Sequence, residues 1–191
     1  MSALLTVGYF IFALFFSLLS FVLWTRIAIR YFKISSLHQI SQGIYALTNP
    51  VVTPITHLFK TYKINLNRYD WPCFCVLVVV ELFKFIAIGA LFLGSMLPLS
   101  LLLLYTLASL IIQPCNILFY AIIIRVIMSW VNPNWNHPIA YIAHLVTEPI
   151  IRKTQHLIPN IYGFDFSAFF ILIGLEVITI FIKGSLPLNI L

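Results

Sequence analysis

Apolar residues along this chain fall into two patterns, long unbroken runs and runs that recur every three or four positions. The unbroken runs predict membrane spans. Residues 3–24 carry no charge, and 22 residues at ~1.5 Å per residue cover a hydrocarbon core of ~30 Å. Residues 72–93 form a second run, interrupted only by Glu81 and Lys84. Residues 99–130 are too many for one straight crossing, and Pro114 lies inside them. That predicts one long, bent helix, because a helical proline removes a backbone hydrogen bond. A fourth span is predicted over 166–182.

Between the spans of each pair the pattern changes. Within 35–68, Ile40, Ile44, Leu47, Val51 and Ile55 recur at steps of four, three, four and four, which is one face of a helix. Ile139, Ile142, Leu145 or Val146, and Ile150 begin the same pattern within 137–160. Both segments are read as short amphipathic helices lying on the membrane surface or packed under the spans. Pro50, Pro54 and Pro149 are expected to bend or break them.

The chain also repeats itself. Thr48-Asn49-Pro50-Val51-Val52 returns as Thr147-Glu148-Pro149-Ile150-Ile151, and Arg26 returns as Arg125, both at an offset of 99 residues. Asp70 and Glu81 return as Asp165 and Glu176 at an offset of 95. A shared offset at separate marks identifies a duplication, here 1–94 and 95–191. The predicted fold is an all-α membrane protein with four transmembrane helices. Two repeats of the same orientation build it, each helix, amphipathic segment, helix.

Composition agrees. Hydrophobic residues are 62% of the chain, charged residues 8%, and the mean hydropathy is +1.05, against about 25% charged residues in soluble domains. The first run lacks a preceding basic residue and is too long for a signal-peptide core, so it is read as a retained span. The net charge of +6 sits mainly on one side. Nine Lys and Arg lie in or beside the amphipathic segments, against Lys183 on the other side. The positive-inside rule then places those segments in the cytoplasm and both termini outside, in a bacterial inner membrane. Charge used for topology leaves no reason to expect direct nucleic-acid binding.

Candidate chemistry is sparse. Glu81 and Glu176 each follow an aspartate by eleven residues, roughly 15 Å along a helix. Both should face the interhelix core, because a carboxylate in lipid is costly. Lys84 is at i+3 from Glu81 and suits an ion pair. These three residues could form a proton or cation relay, or simply hold helices in register. Arg26 and Arg125 end the first span of each repeat, where Asp70 and Asp165 begin the second. The pairs Arg26–Asp70 and Arg125–Asp165 are therefore expected. His57 and His156 share the 99-residue offset, but no thiolate or carboxylate accompanies them, so no metal is expected. Cys73, Cys75 and Cys115 form no C-x-x-C pair. No phosphate loop, catalytic triad or zincin motif is present, so neither enzymatic activity nor a cofactor is expected.

In order and combination these residues resemble the YggT (YlmG) family of small bacterial membrane proteins. The second repeat carries Arg125-Val126-Ile127-Met128-Ser129-Trp130, Pro138, Thr147-Glu148-Pro149, Leu157-Ile158-Pro159 and Gly163-Phe164-Asp165. The first retains Arg26, Thr48-Asn49-Pro50, Pro54 and Asp70. The resemblance implies a non-enzymatic membrane protein supporting ion or osmotic homeostasis, with a small transport-related subunit as one form of that role. The alternative it implies is a membrane scaffold for cell division, nucleoid placement or membrane-protein and cytochrome assembly. The partners expected are the bilayer itself and either a second copy or another membrane protein.

Overall fold

The computed structural model describes residues 3–32, 39–61, 70–94, 96–131, 138–157 and 167–187. All the regular structure in them is helical: α1 (Ala3–Tyr31), α2 (Gln39–Thr61), α3 (Trp71–Ile88), α4 (Leu99–Val131), α5 (Pro138–Leu157) and α6 (Ser167–Gly184). A π-helical turn, Gly89–Leu93, extends α3. The stretches Leu4–Tyr31, Trp71–Phe92, Leu99–Val131 and Ser167–Gly184 are long and apolar enough to cross a membrane. The chain is a multi-pass, all-α membrane protein.

Two differences from the sequence pattern have physical causes. First, α1 does not stop at Trp24 but runs on to Tyr31 through Arg26 and Arg30. Both arginines find a carboxylate there, so the helix continues beyond its uncharged run. Second, Pro50 and Pro54 lie inside α2, and Pro149 lies inside α5, without ending either helix. Each proline removes one backbone bond, while side-chain contacts hold the helix on either side of it. α4 is continuous through Pro114, in keeping with the expectation of one long helix.

The helices form two compact units, Met1–Gln113 and Pro114–Ile190, divided at that proline. This division falls later in the chain than the 94/95 boundary expected from the repeat. In unit 1, Leu23 of α1, Val52 of α2 and Cys73, Val76 and Leu77 of α3 form the core. In unit 2, Ile122, Ile151 and Ile171 bring α4, α5 and α6 together. Val52 and Ile151 are repeat equivalents, so both surface helices dock through the same position.

The packed face of α2 is rotated from its apolar stripe. Ser41, Thr48 and Val52 are buried, whereas Leu47 and Val51 are 70% and 45% exposed. The helix therefore leans on unit 1 by one edge of its apolar face and leaves the other edge open.

α3 begins at Asp70, whose carbonyl accepts from the Phe74 amide at 2.9 Å. Pro72 sits in the first turn, where a missing amide costs nothing. The π turn ends at Gly94, whose φ of +65° is a backbone that a side chain disfavours.

Candidate functional site

Two polar constellations stand out in unit 1, one at the end of α1 and one midway along α3. The first is built around Arg26, which is 8% exposed. Its Nε donates to Asp70 Oδ2 at 3.2 Å. Its Nη1 donates to Thr48 Oγ1 at 2.6 Å and to Asn49 Oδ1 at 2.9 Å. The guanidinium lies 4.8 Å from the centre of the Tyr45 ring, a cation–π distance. Arg30 reaches the other oxygen of Asp70 at 3.3 Å. The expected Arg26–Asp70 pair is present, and it is part of a staple joining α1, α2 and the start of α3.

Unit 2 repeats half of this staple. Arg125 Nη1 donates to Thr147 Oγ1 at 3.1 Å and pairs with Glu148 Oε2 at 2.8 Å. Thr147 and Glu148 are the equivalents of Thr48 and Asn49. Both threonine hydroxyls also donate to the carbonyl four residues back, Ile44 and Ala143, each at 2.7 Å. That bond aims the hydroxyl lone pairs at the arginine. The Arg125–Asp165 pair was expected from duplication, but Asp165 lies outside the described residues, as does Pro159. Arg125's acidic partner among the described residues is Glu148. A second arginine, Arg152, donates to Glu148 at 2.8 Å from one turn along α5.

The hydrogen bond from Arg152, followed by the hydrogen bond and charge of Arg125, holds the Glu148 carboxyl below its ordinary value, against the opposing effect of burial. His144, the equivalent of Tyr45, is held below the ordinary imidazole value by burial and then by Arg125. Both folded values are depressed, so both groups stabilise α5 when deprotonated, and acid removes that stability. Protection of the α5 amides relative to their intrinsic exchange rates should fall as pH drops from neutrality through the imidazole range and then below the carboxylate range. Glu148→Gln should abolish the lower step; an unchanged lower step in that variant would refute the assignment.

The second constellation surrounds Glu81, which is fully buried. Ser20 of α1 donates to Oε1 at 2.5 Å. Ser109 of α4 donates to Oε2 at 2.7 Å, and Lys84 pairs with the same oxygen at 2.6 Å. Lys84 Nζ also donates to Ser109 at 3.3 Å and lies 4.5 Å over the Phe85 ring. The carboxylate thus has a cation and two hydroxyl donors, which is how a buried charge is tolerated. The expected Glu81–Lys84 bond is present, and three helices of unit 1 meet on it.

Glu176 departs from expectation. It is exposed on α6 rather than facing a helix core. At equivalent positions, unit 2 has Thr179 in place of Lys84 and Phe119 in place of Ser20. The donors that draw Glu81 inward are therefore missing. No group of three His, Cys, Asp or Glu that could hold a metal occurs among the described residues.

Sequence reading singled out the arginines and carboxyls but missed Ser20, Thr48, Ser109 and Thr147. The threonines were findable, since they share the 99-residue offset of the arginines that they contact. Nothing in the spacing of Ser20 and Ser109 points to Glu81.

The CCB3/YggT family model matches two stretches of this chain, 5–91 and 103–186, one on each side of the repeat boundary. A Vibrio alginolyticus protein described by its place in the proC 3' region is 31% identical over 170 residues, covering 87% of this chain and 88% of its own. A Pseudomonas aeruginosa protein, PA0392, is 34% identical over 71 residues, 37% of this chain and 36% of its own. The Escherichia coli K12 protein YggT is 25% identical over 163 residues, 84% of this chain and 81% of its own. No solved structure matches.

Proposed function

Since the chain belongs to the CCB3/YggT family, we propose that it is a non-enzymatic scaffold of the bacterial inner membrane, which presents two stapled surface helices to a partner membrane protein. The observation that carries this reading is the recurrence of the Arg–Thr contact, Arg26–Thr48 in one unit and Arg125–Thr147 in the other. An amphipathic helix that only anchors in lipid needs no such contact, because burial of its apolar face suffices. A buried guanidinium bonded to three side chains sets the rotation of α2 about its axis. Fixed rotation matters when a protein surface must be recognised. It also leaves Leu47 and Val51 uncovered on α2, as a partner's helix would require. The basic asymmetry supports a cytoplasmic side for these helices, with both termini outside.

A photo-crosslinking side chain at position 47, in the full chain in its native membrane, tests the reading. The expected product is an adduct with one membrane protein, accessible from the cytoplasmic side and lost when Arg26→Lys breaks the staple. Adducts with lipid alone, or labelling only from outside, would refute it.

Ion or osmotic homeostasis is the second reading, and the buried Glu81–Lys84 pair favours it. It stands behind the scaffold because the pair satisfies itself and the exposed Glu176 gives a relay no second buried member. Proton or cation flux in liposomes that Glu81→Gln abolishes would reverse this order.

A further inference from the structure

The Lys84 ammonium is held as a free cation would be. Its Nζ has an oxygen on two sides, Glu81 Oε2 at 2.6 Å and Ser109 Oγ at 3.3 Å. The Phe85 ring closes a third side, its centre 4.5 Å away, a cation–π distance. Ser109 gives its hydroxyl proton to Glu81 Oε2, which leaves its lone pairs for the ammonium. Ser20 of α1 holds the other carboxylate oxygen. The Phe85 ring is backed by the Tyr105 ring, with centres 5.6 Å apart. Tyr105 and Ser109 lie one turn apart on α4, so that helix supplies both an oxygen and the support of the aromatic wall. All six residues are buried, and all six belong to unit 1.

An ion pair three residues apart needs none of this, because Glu and Lys at that spacing meet on one helix unaided. Lys84 lies well inside the stretch Trp71–Phe92, yet it turns into the cluster rather than snorkelling toward an end. We infer that the cluster is a monovalent-cation site whose permanent occupant is the chain's own Lys84 ammonium. The native protein therefore neither takes up nor exchanges a cation there. The free ion that suits the site is one of ammonium's size, which is potassium or ammonium itself. Oxygens that replace a hydration shell are how proteins hold potassium. Lithium, smaller and more strongly hydrated, fits poorly, and choline is too large. A tethered ammonium wins over a free ion because less translational freedom is lost in fixing it. The inference is independent of the scaffold reading, which rests on α2 and α5.

Lys84→Ala tests it, since alanine removes stem and charge together and leaves the oxygens and the ring. Thermal unfolding of the full chain in detergent micelles is followed in potassium, ammonium or lithium chloride, with choline chloride making up a constant ionic strength. Once potassium exceeds its dissociation constant, the folded-to-unfolded ratio of Lys84→Ala should rise about tenfold for each tenfold rise in potassium. Ammonium should act likewise, lithium less, and choline not at all. Three proteins should be indifferent to the choice of salt. They are the native chain, whose site is filled; Lys84→Met, whose side chain keeps the space occupied; and Lys84→Ala with Glu81→Gln, which has no charge to draw a cation in. A Lys84→Ala chain that behaves alike in potassium and in choline, whether folded or unfolded in both, would overturn the inference. So would lithium stabilising it as strongly as potassium, or potassium selectivity in any of the three controls.

Discussion

Replacing Lys84 with Met should destabilise the protein by about 3–5 kcal/mol, the usual cost of leaving one member of a buried ion pair behind. The site gives the stranded charge no escape. Glu81 is fully buried, and Ser20 and Ser109 supply hydrogen bonds but no positive charge. Methionine fits the space of the lysine stem, so the loss reports charge rather than packing. Adding Glu81→Gln to Lys84→Met should recover most of it, since an amide carries no charge to desolvate, accepts from one serine through its oxygen and donates to the other serine's hydroxyl oxygen through its nitrogen. Thermal unfolding in detergent or bilayer, read as a double-mutant cycle, measures both steps. A silent Lys84→Met would mean that the carboxyl is not sealed among α1, α3 and α4.

The duplicated arginines should differ sharply when each is cut to alanine. Arg26→Ala leaves the Asp70 side chain, 1% exposed, to Arg30 alone and removes the donor shared by Thr48 and Asn49. Truncating a buried, hydrogen-bonded charge of this kind costs about 2–5 kcal/mol. Arg125→Ala leaves Glu148 paired with Arg152, and the Glu148 side chain is 35% exposed, so solvent and the second arginine replace what is lost. About 1 kcal/mol is expected, near the ceiling for an exposed pair. Unfolding of the two variants side by side gives the comparison. Equal losses would refute this account of unit 2 and would favour a contribution from Asp165 to Arg125, the pairing that duplication suggested.

The contrast between these sites separates what is local from what is not. Four apolar stretches, two amphipathic segments, the duplication and the Arg26–Asp70 and Glu81–Lys84 pairs follow from the sequence, because each depends on residue type, short helical spacing or a recurring offset. Helix length through prolines does not follow. Pro50, Pro54 and Pro149 each weaken a helix locally, yet the helices run on, since tertiary contacts outweigh one lost bond. Exposure of Leu47 and Val51 does not follow either. Periodicity identifies an apolar face, while the rotation of α2 is decided by where Arg26 reaches Thr48 and Asn49. Ser20 and Ser109 lie 61 and 28 residues from Glu81, and only the packing of α1 and α4 against α3 brings them to its carboxyl. Repetition predicted that Glu81 and Glu176 would share a fate. Tertiary structure parted them, because a carboxyl turns inward only where donors wait for it, and the second copy has phenylalanine and threonine in place of serine and lysine.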